Sequence, residues 1–499
     1  MKNRTVLLVT LFLITQMGHA VAAEERYLAN KGGNAVEYTD EGGTANVETY
    51  RIVKYREHYT DCYVENKRYL FENGDEFLLR KFCNSDGIEK VVYTIYGKNG
   101  SVTYIDQATG EWISSSPTGD MTDAVLFIQT DESFVILGPA AIYKPYGDGN
   151  LLDTGLRGSV NMCEVETGYE VTIRLPLSDG NEAHIWALSI QNPEYEWNDI
   201  VRSNWKRIDF NADHRICFDG AYYISPESYK PYESGMFYRC PAVHPAIVLL
   251  EEDSRVANIL SVVLLDEAVK KQNRHGYWPT PAESRWLRED YHIGSHFYDT
   301  RFNNDVTMRL FEAYKKLGYQ HYLGAALRQT EWLICHASKN HIKVEDGILV
   351  EDYGVPKGDR KVKQTHSSLN HQLQEIKVLL TAHECTGESN YYEFAEELLS
   401  GIRSAESKWY NGNRGLAYAI KPDGTPGLND YPYLTYNDLY DVQEILSRVD
   451  EERDPVLDRL MAYKLKHMLE NDIIGYKTYS DNEIPPLLRA VINDYNKSE

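Results

Sequence analysis

Arg255-Val-Ala-Asn-Ile-Leu-Ser-Val-Val-Leu-Leu-Asp-Glu-Ala-Val-Lys-Lys271 is where the chain changes its period. Apolar residues at 256, 259, 260, 263, 264 and 268 share one face of a helix. Downstream the pattern stays helical. It predicts helices over 305–317, 320–336, 367–386, 388–403, 436–449, 455–469 and 485–496, with Gly318 and Gly387 as stops. Successive helix pairs without a fixed repeat length suggest an α/α toroid or part of one.

Upstream, from about 45 to 240, the period is two. Residues 89–96 and 101–105 flank Gly97-Lys-Asn-Gly100 and read as a hairpin. Residues 124–129 and 133–137 flank a second short turn, and 168–175 and 182–190 continue the alternation. Turns at this spacing suggest antiparallel sheets packed as a sandwich. The expectation is an α+β multidomain chain. It divides as signal peptide 1–22, a glycine-rich flexible lead-in 23–45, a β-rich sandwich-like region 46–243 and an α/α toroid-type helical domain 244–499.

Lys2 and Arg4 precede an apolar run from Thr5 to Thr15, and Ala20-Val-Ala22 follows as a small-residue cleavage site. The run is too short to span a bilayer, and no later segment approaches the ~20 apolar residues a spanning helix needs. The expected location is extracytoplasmic, periplasmic or secreted, with no membrane span after cleavage. Losing Lys2 and Arg4 with the leader takes the formal charge from −23 to −25. Such a surface repels nucleic acid and anionic membrane at long range, and argues against a densely sulfated glycan as substrate.

Seven cysteines follow the leader, at 62, 83, 163, 217, 240, 335 and 385. An oxidising compartment permits disulfides, and the local pairs Cys62–Cys83 and Cys217–Cys240 are expected. An odd count leaves at least one thiol unpaired. Cys335 and Cys385 fall in helical patterns and read as core thiols. There is no C-x-x-C. His292 and His296 have metal-pair spacing but no Glu follows His292, so no metal and no cofactor is expected.

Candidate chemistry concentrates in a run of tyrosines and acids: Glu351-Asp-Tyr353, His366-Ser-Ser-Leu-Asn-His371, Tyr418, and Asp430-Tyr431 ahead of a helix. Tyrosine is abundant, at 38 of 499 residues, so any single one is as readily packed between helices. Bracketing one cleft, they could stack on a sugar and exchange protons with it. Adjacent acids can raise one another's pKa. His366 and Asn370 stand at a helix N-terminus, which suits an anionic ligand. Arg301, in the aromatic stretch Tyr291–Asn303 with Tyr298, could hold a carboxylate or pin Asp299 or Asp305; Asn303 or Asn304 could cap the helix that follows. No G-x-S-x-G elbow is present, which disfavours a serine hydrolase.

These motifs resemble the C-terminal catalytic domain of the D-glucuronyl C5-epimerase family over roughly residues 250–445. Asp352-Tyr353, Ser367-Ser368, Leu369-Asn370, Tyr418 and Asp430-Tyr431 carry the resemblance. The chain departs from it in three places. Asp352 stands where the family has glutamate, unless Glu351 takes that role. Extra residues, including 357–363, follow Tyr353. Ala419, with Lys421 nearby, replaces an arginine after the strand tyrosine. The resemblance implies a uronic-acid-containing polysaccharide as partner and proton transfer at C5. Tyr353, Tyr418 and Tyr431 would be the proton-transfer groups, with Glu351 or Asp352 beside them. Arg301, His366 or Lys421 would neutralise the carboxylate, and Asn370 and Tyr298 would contact substrate. A lyase starts with the same proton loss. An inverting hydrolase would use Asp430 with Glu351 or Asp352. A non-catalytic glycan-binding or export protein is the reading from another class. A homodimer is the one protein partner considered.

Overall fold

The computed structural model describes residues 24–29, 36–39, 49–58, 63–83, 88–191, 198–209, 213–355 and 362–498. The proposed leader, Cys62 and most of the 357–363 stretch lie outside them. The chain forms two compact units, 1–268 and 269–499. Among the described residues no helix is long and apolar enough to cross a membrane.

The first unit is a β-sandwich. A five-stranded antiparallel sheet runs in the order Glu24–Ala29, Ile88–Tyr96, Gly168–Arg174, Ser159–Val165, Gly119–Met121, and a fourteen-stranded sheet faces it. Alternation builds the core. Val91, Tyr93 and Ile95 point in from the small sheet, and Leu126, Ile128, Val135 and Ile185 from the large one. The expected 124–137 hairpin is present, as Leu126–Gln129 paired with Phe134–Leu137.

The hairpin expected at Gly97–Gly100 is not. Ile88–Tyr96 pairs with Gly168–Arg174 in the small sheet, whereas Ser101–Ile105 pairs with Leu126–Gln129 in the large one. The turn is an arch between sheets. Gly97 (φ 98°) donates its N–H to Thr167, and Gly100 donates to the Tyr169 hydroxyl, so long-range partners override the local turn signal. Glu24–Ala29 and Val36–Thr39 are strands rather than a loose lead-in, paired with Ile88–Tyr96 and Tyr50–His58.

The helix Arg255–Lys271 spans the predicted residues, but its body belongs to the first unit. Glu267 explains why. Its buried carboxylate accepts from Lys67 Nζ at 2.7 Å and from the Tyr69 hydroxyl at 3.1 Å, both on a sandwich strand. Cys83 and Cys217 carry free thiols. Cys217 lies opposite Gly220, while the Cys240 N–H bonds Ala221, so the strand Gly220–Ile224 runs between the two cysteines. Two strand spacings, about 9–10 Å, exceed what a disulfide can bridge. Cys335 and Cys385 are half-buried rather than core thiols, and Lys339 Nζ donates to Cys335 Sγ.

The second unit is an arc of three α/α hairpins, the toroid-type arrangement. Thr300–Leu317 pairs with Gln320–Ala337, Leu369–Thr386 with Ser389–Ser404, and Leu434–Val449 with Pro455–Leu469. The first helix of each pair is inner, and Leu369–Thr386 packs against both of the others. That central helix is buried all round, including Gln372, Gln374, Glu375 and Lys377. Such a helix lacks the one-sided stripe of a surface helix. Thr300–Leu317 begins five residues earlier than its apolar period indicates. Asp299 is its cap, accepting the Phe302 N–H at 3.0 Å. Asn303, a candidate cap, lies inside the helix, where it accepts from Trp278 N–H at 2.7 Å and donates back to the Trp278 carbonyl at 3.0 Å.

Arg301 ties the inner helices together at their N-terminal ends. Its guanidinium grips Asp438 on the third (2.5 and 3.2 Å), donates to the Asn370 carbonyl on the second (3.1 Å), and pairs with Asp305 on its own (3.0 Å).

Candidate active site

Two short ribbons lie at these N-terminal ends. In one, Tyr298–Asp299 pairs with Tyr353–Gly354. In the other, Ser367–Ser368 pairs with Ala417–Ile420, which pairs with Pro426–Asn429. Asp352 joins them. Its N–H bonds the His366 carbonyl, and its carbonyl accepts the Thr300 N–H, each at 3.0 Å. Its fully buried carboxylate accepts the Ser368 N–H at 2.8 Å and the Ser368 hydroxyl at 2.6 Å. Burial alone would raise this acid. His371, His366 and the Ser368 hydroxyl outweigh it and hold the pKa below the usual aspartate value.

His366 sits at the centre of an aromatic bowl. Its Nδ1 is 2.8 Å from the Tyr291 hydroxyl. Its Nε2 is 3.2 Å from Asp352 Oδ2, off hydrogen-bond alignment and with no other partner. Trp286 stacks on the imidazole at 6.0 Å and 23°. Tyr353 and Tyr418 approach it at 5.9 and 5.8 Å, and Tyr431 meets Tyr418 edge-on at 5.7 Å. Trp286, Tyr291, Tyr353 and Tyr418 are half-buried, and Tyr431 is 47% exposed at the rim. Burial, with the Asp352 charge behind it, pushes the Tyr418 hydroxyl well above an ordinary tyrosine. Burial also raises Tyr291, with Asp290 and Asp352 adding to it.

Of the residues expected from the sequence, Tyr353, Tyr418, Tyr431, Asp352 and His366 come together here. Glu351 turns away, accepting the Thr365 N–H at 2.8 Å, and burial raises its pKa. Arg301 is committed to Asp305 and Asp438 and is not free to hold a substrate carboxylate. Asn370 stands in the first turn of the central helix with its buried Oδ1 unpartnered. Lys421 is exposed on the turn leading to Pro426–Asn429. Tyr298 points into the helical core, where it accepts from Gln329 Nε2 at 3.1 Å and packs against Tyr277 and Trp332. Asp430 is locked to Lys464 Nζ (2.6 Å) and the Thr435 hydroxyl (2.5 Å). Among the described residues no cluster of three His, Cys, Asp or Glu could hold a metal ion, and His292 and His296 are exposed.

Three residues that sequence reading did not single out belong to the site. Tyr291 and Trp286 lie on the short helix Arg285–Tyr291, whose sequence signal was the aromatic stretch that Tyr291 opens. His371 lies one turn into the central helix, its Nδ1 2.8 Å from the Thr300 hydroxyl; burial lowers its pKa to about 4. Burial also drives Asp299 up to about 7.

The arrangement can move protons. A tyrosine hydroxyl bonded to a histidine beside a buried carboxylate can shed its proton to the imidazole, and the carboxylate stabilises the resulting cation. Tyr418, raised by burial and the Asp352 charge, keeps its proton, which suits a donor.

No family model matches the chain, and no curated protein matches it in sequence. Solved structures match the chain distantly. A D-mannose isomerase is 14% identical (TM-score 0.36), over 56% of this chain and 79% of its own. The GH76 α-mannanase BT2949 of Bacteroides thetaiotaomicron is 17% identical (TM-score 0.33), over 54% and 74%. A cellobiose 2-epimerase from Spirochaeta thermophila is 12% identical (TM-score 0.35), over 51% and 68%. Likeness this distant leaves the chemistry to the residues themselves.

Proposed function

We propose that this chain is an extracytoplasmic polysaccharide-modifying enzyme that removes and returns the C5 proton of a uronosyl residue, a C5-epimerase of the kind its motifs resemble. The observation that carries the reading is the placement of His366 between Tyr291 and Asp352. Tyr291 holds one ring nitrogen and Asp352 faces the other, in an aromatic bowl that also holds Tyr418. Tyr291 passes its proton to His366 and takes the C5 proton. Tyr418 gives its proton to the opposite face, and His366 then returns one proton to Tyr418 through solvent, which closes the cycle. Base and acid on opposed walls are what inversion at one carbon requires. Trp286, Tyr353 and Tyr431 supply faces on which a sugar ring stacks.

The test is incubation with glucuronan- and heparosan-type polymers in deuterated water. Deuterium at C5 together with an inverted uronate is the expected result; no C5 deuterium on any uronate polymer would refute the reading. The lyase outcome shares the first step and differs in expelling the 4-O substituent, so ultraviolet-absorbing unsaturated ends would identify it. An inverting hydrolase finds less support, since Asp430 is neutralised by Lys464 and Asp352 is fully enclosed.

A further inference from the structure

Removing the C5 proton places negative charge on the substrate's carboxylate, and something must stabilise it. Among the described residues, Arg301 is held by Asp305 and Asp438, Lys464 by Asp430, and Lys377 by Asp441 at 2.7 Å. We infer that His371 is a further catalytic residue, a neutral imidazole that directs an Nε2–H into the bowl and stabilises this developing charge. The inference rests on the proton-transfer reading above.

Three observations carry it. His371 lies at the bowl, its ring 6.0 Å from Tyr353. Its Nδ1 is taken by the Thr300 hydroxyl at 2.8 Å, and Asp352 Oδ2, at 3.7 Å, is beyond hydrogen-bond reach. Its Nε2 is bonded to no protein atom and is not among the enclosed unpartnered atoms, so it is open to a ligand.

The proton's place follows from what lies behind Thr300. Glu375 is fully buried, with Oε2 accepting from Gln372 Nε2 at 2.9 Å and Oε1 unpartnered. No cation faces it, and burial, with Asp352 adding to it, pushes its carboxyl far up, so the un-ionised form is the resting one. An un-ionised Glu375 makes no call on the Thr300 proton, which is left to His371 Nδ1 at 2.8 Å and so puts the imidazole proton on Nε2. Asp352, Asp305, Arg301 and His366 are the charged or titratable groups that act on His371, and burial outweighs them in keeping it neutral. A neutral donor fits the task because it strengthens its bond as charge builds, without holding the ground-state carboxylate as tightly as a fixed cation. Thr300 and Glu375 are positioning residues.

The experiment combines two readouts on the full chain. In ¹⁵N-histidine spectra of the resting protein, the resonance lost in His371→Phe should show a neutral ring protonated at Nε2. In C5 deuterium exchange, Thr300→Val should lower kcat by about 10- to 100-fold with KM little changed, and Thr300→Ser should restore it. Melting curves of both Thr300 variants guard against a folding effect. A His371 protonated at Nδ1 or charged at neutral pH overturns the inference. So does exchange that survives both Thr300→Val and His371→Phe at the native rate. Native protein that exchanges no C5 deuterium sinks the proton-transfer reading itself, a result distinct from the other two.

Discussion

In the sandwich, buried acids meet cations. Glu267 accepts from Lys67, Asp75 is gripped by Arg255 at 2.5 and 2.6 Å, and Glu57 lies 3.4 Å from a fully buried Arg80. At the N-terminal side of the inner helices, Asp299, Asp352 and Glu375 are buried among histidines, hydroxyls and one another, and among the described residues no lysine or arginine pairs with them. Burying a charge costs several kcal/mol unless it is paired. The sandwich meets that cost with ion pairs, as a scaffold does. The bowl meets it by shifting protonation states, with Asp299 and Glu375 raised and His371 lowered. Groups held off their ordinary pKa at one site suit proton transfer.

The sharpest break of this contrast is Asp352→Asn. It keeps the shape of the joint but removes the charge facing His366, and turnover should fall by about 10³- to 10⁴-fold with the fold retained by circular dichroism. Lys67→Met is its counterpart in the sandwich. It strands Glu267 and should cost about 3–5 kcal/mol in denaturant unfolding, while C5 exchange by the folded protein stays unchanged. Adding Glu267→Leu should recover most of that loss.

Asp299 separates the two halves by pH. Its pKa is about 7 folded against 3.8 unfolded, so the folded state binds the extra proton between those values. Its contribution to stability is complete below about pH 4, declines as pH rises to about 7, and is flat above. Asp299→Asn should therefore match the native stability in denaturant unfolding near pH 4 and exceed it increasingly up to pH 7, by at most about 4 kcal/mol. A constant offset across pH would sink this assignment. Smallest is Tyr418→Phe, expected to lower turnover by about 10²-fold without a stability loss larger than about 1 kcal/mol.

The same contrast explains what the sequence disclosed. Arg255–Lys271 and Pro455–Leu469 were legible to the residue, from a continuous apolar period in one and a proline at the first helical position in the other. Thr300–Leu317 was not, because its buried first turns carry Thr300, Asn303, Asn304 and Thr307, polar residues that face the helical interior and break the pattern. Tyr353, Tyr418 and His366 were legible because strand or helix ends bring them to one place. Tyr298 and Lys421 stand apart from them. The pleat sends Tyr298 to the opposite face from Asp299, and Lys421 rides an exposed turn. Arg301 read either as a ligand for the substrate or as a pin for Asp299 or Asp305; it does pair with Asp305, but its other partners Asp438 and Asn370 lie 137 and 69 residues away, too far for local reading to pair them.

The two ribbons are stitched through Asp352, and this has a consequence for substitution by its nearest chemical relative. The aspartate reaches Ser368 with both oxygens while its own backbone holds His366 and Thr300. Glutamate, the residue found in the family this chain resembles, adds a methylene to a gap already closed at 2.6 Å. It would wedge the ribbons apart. Amide hydrogen exchange at Ser368 would register that wedge, because the slow proton there is slow only while the seam is shut.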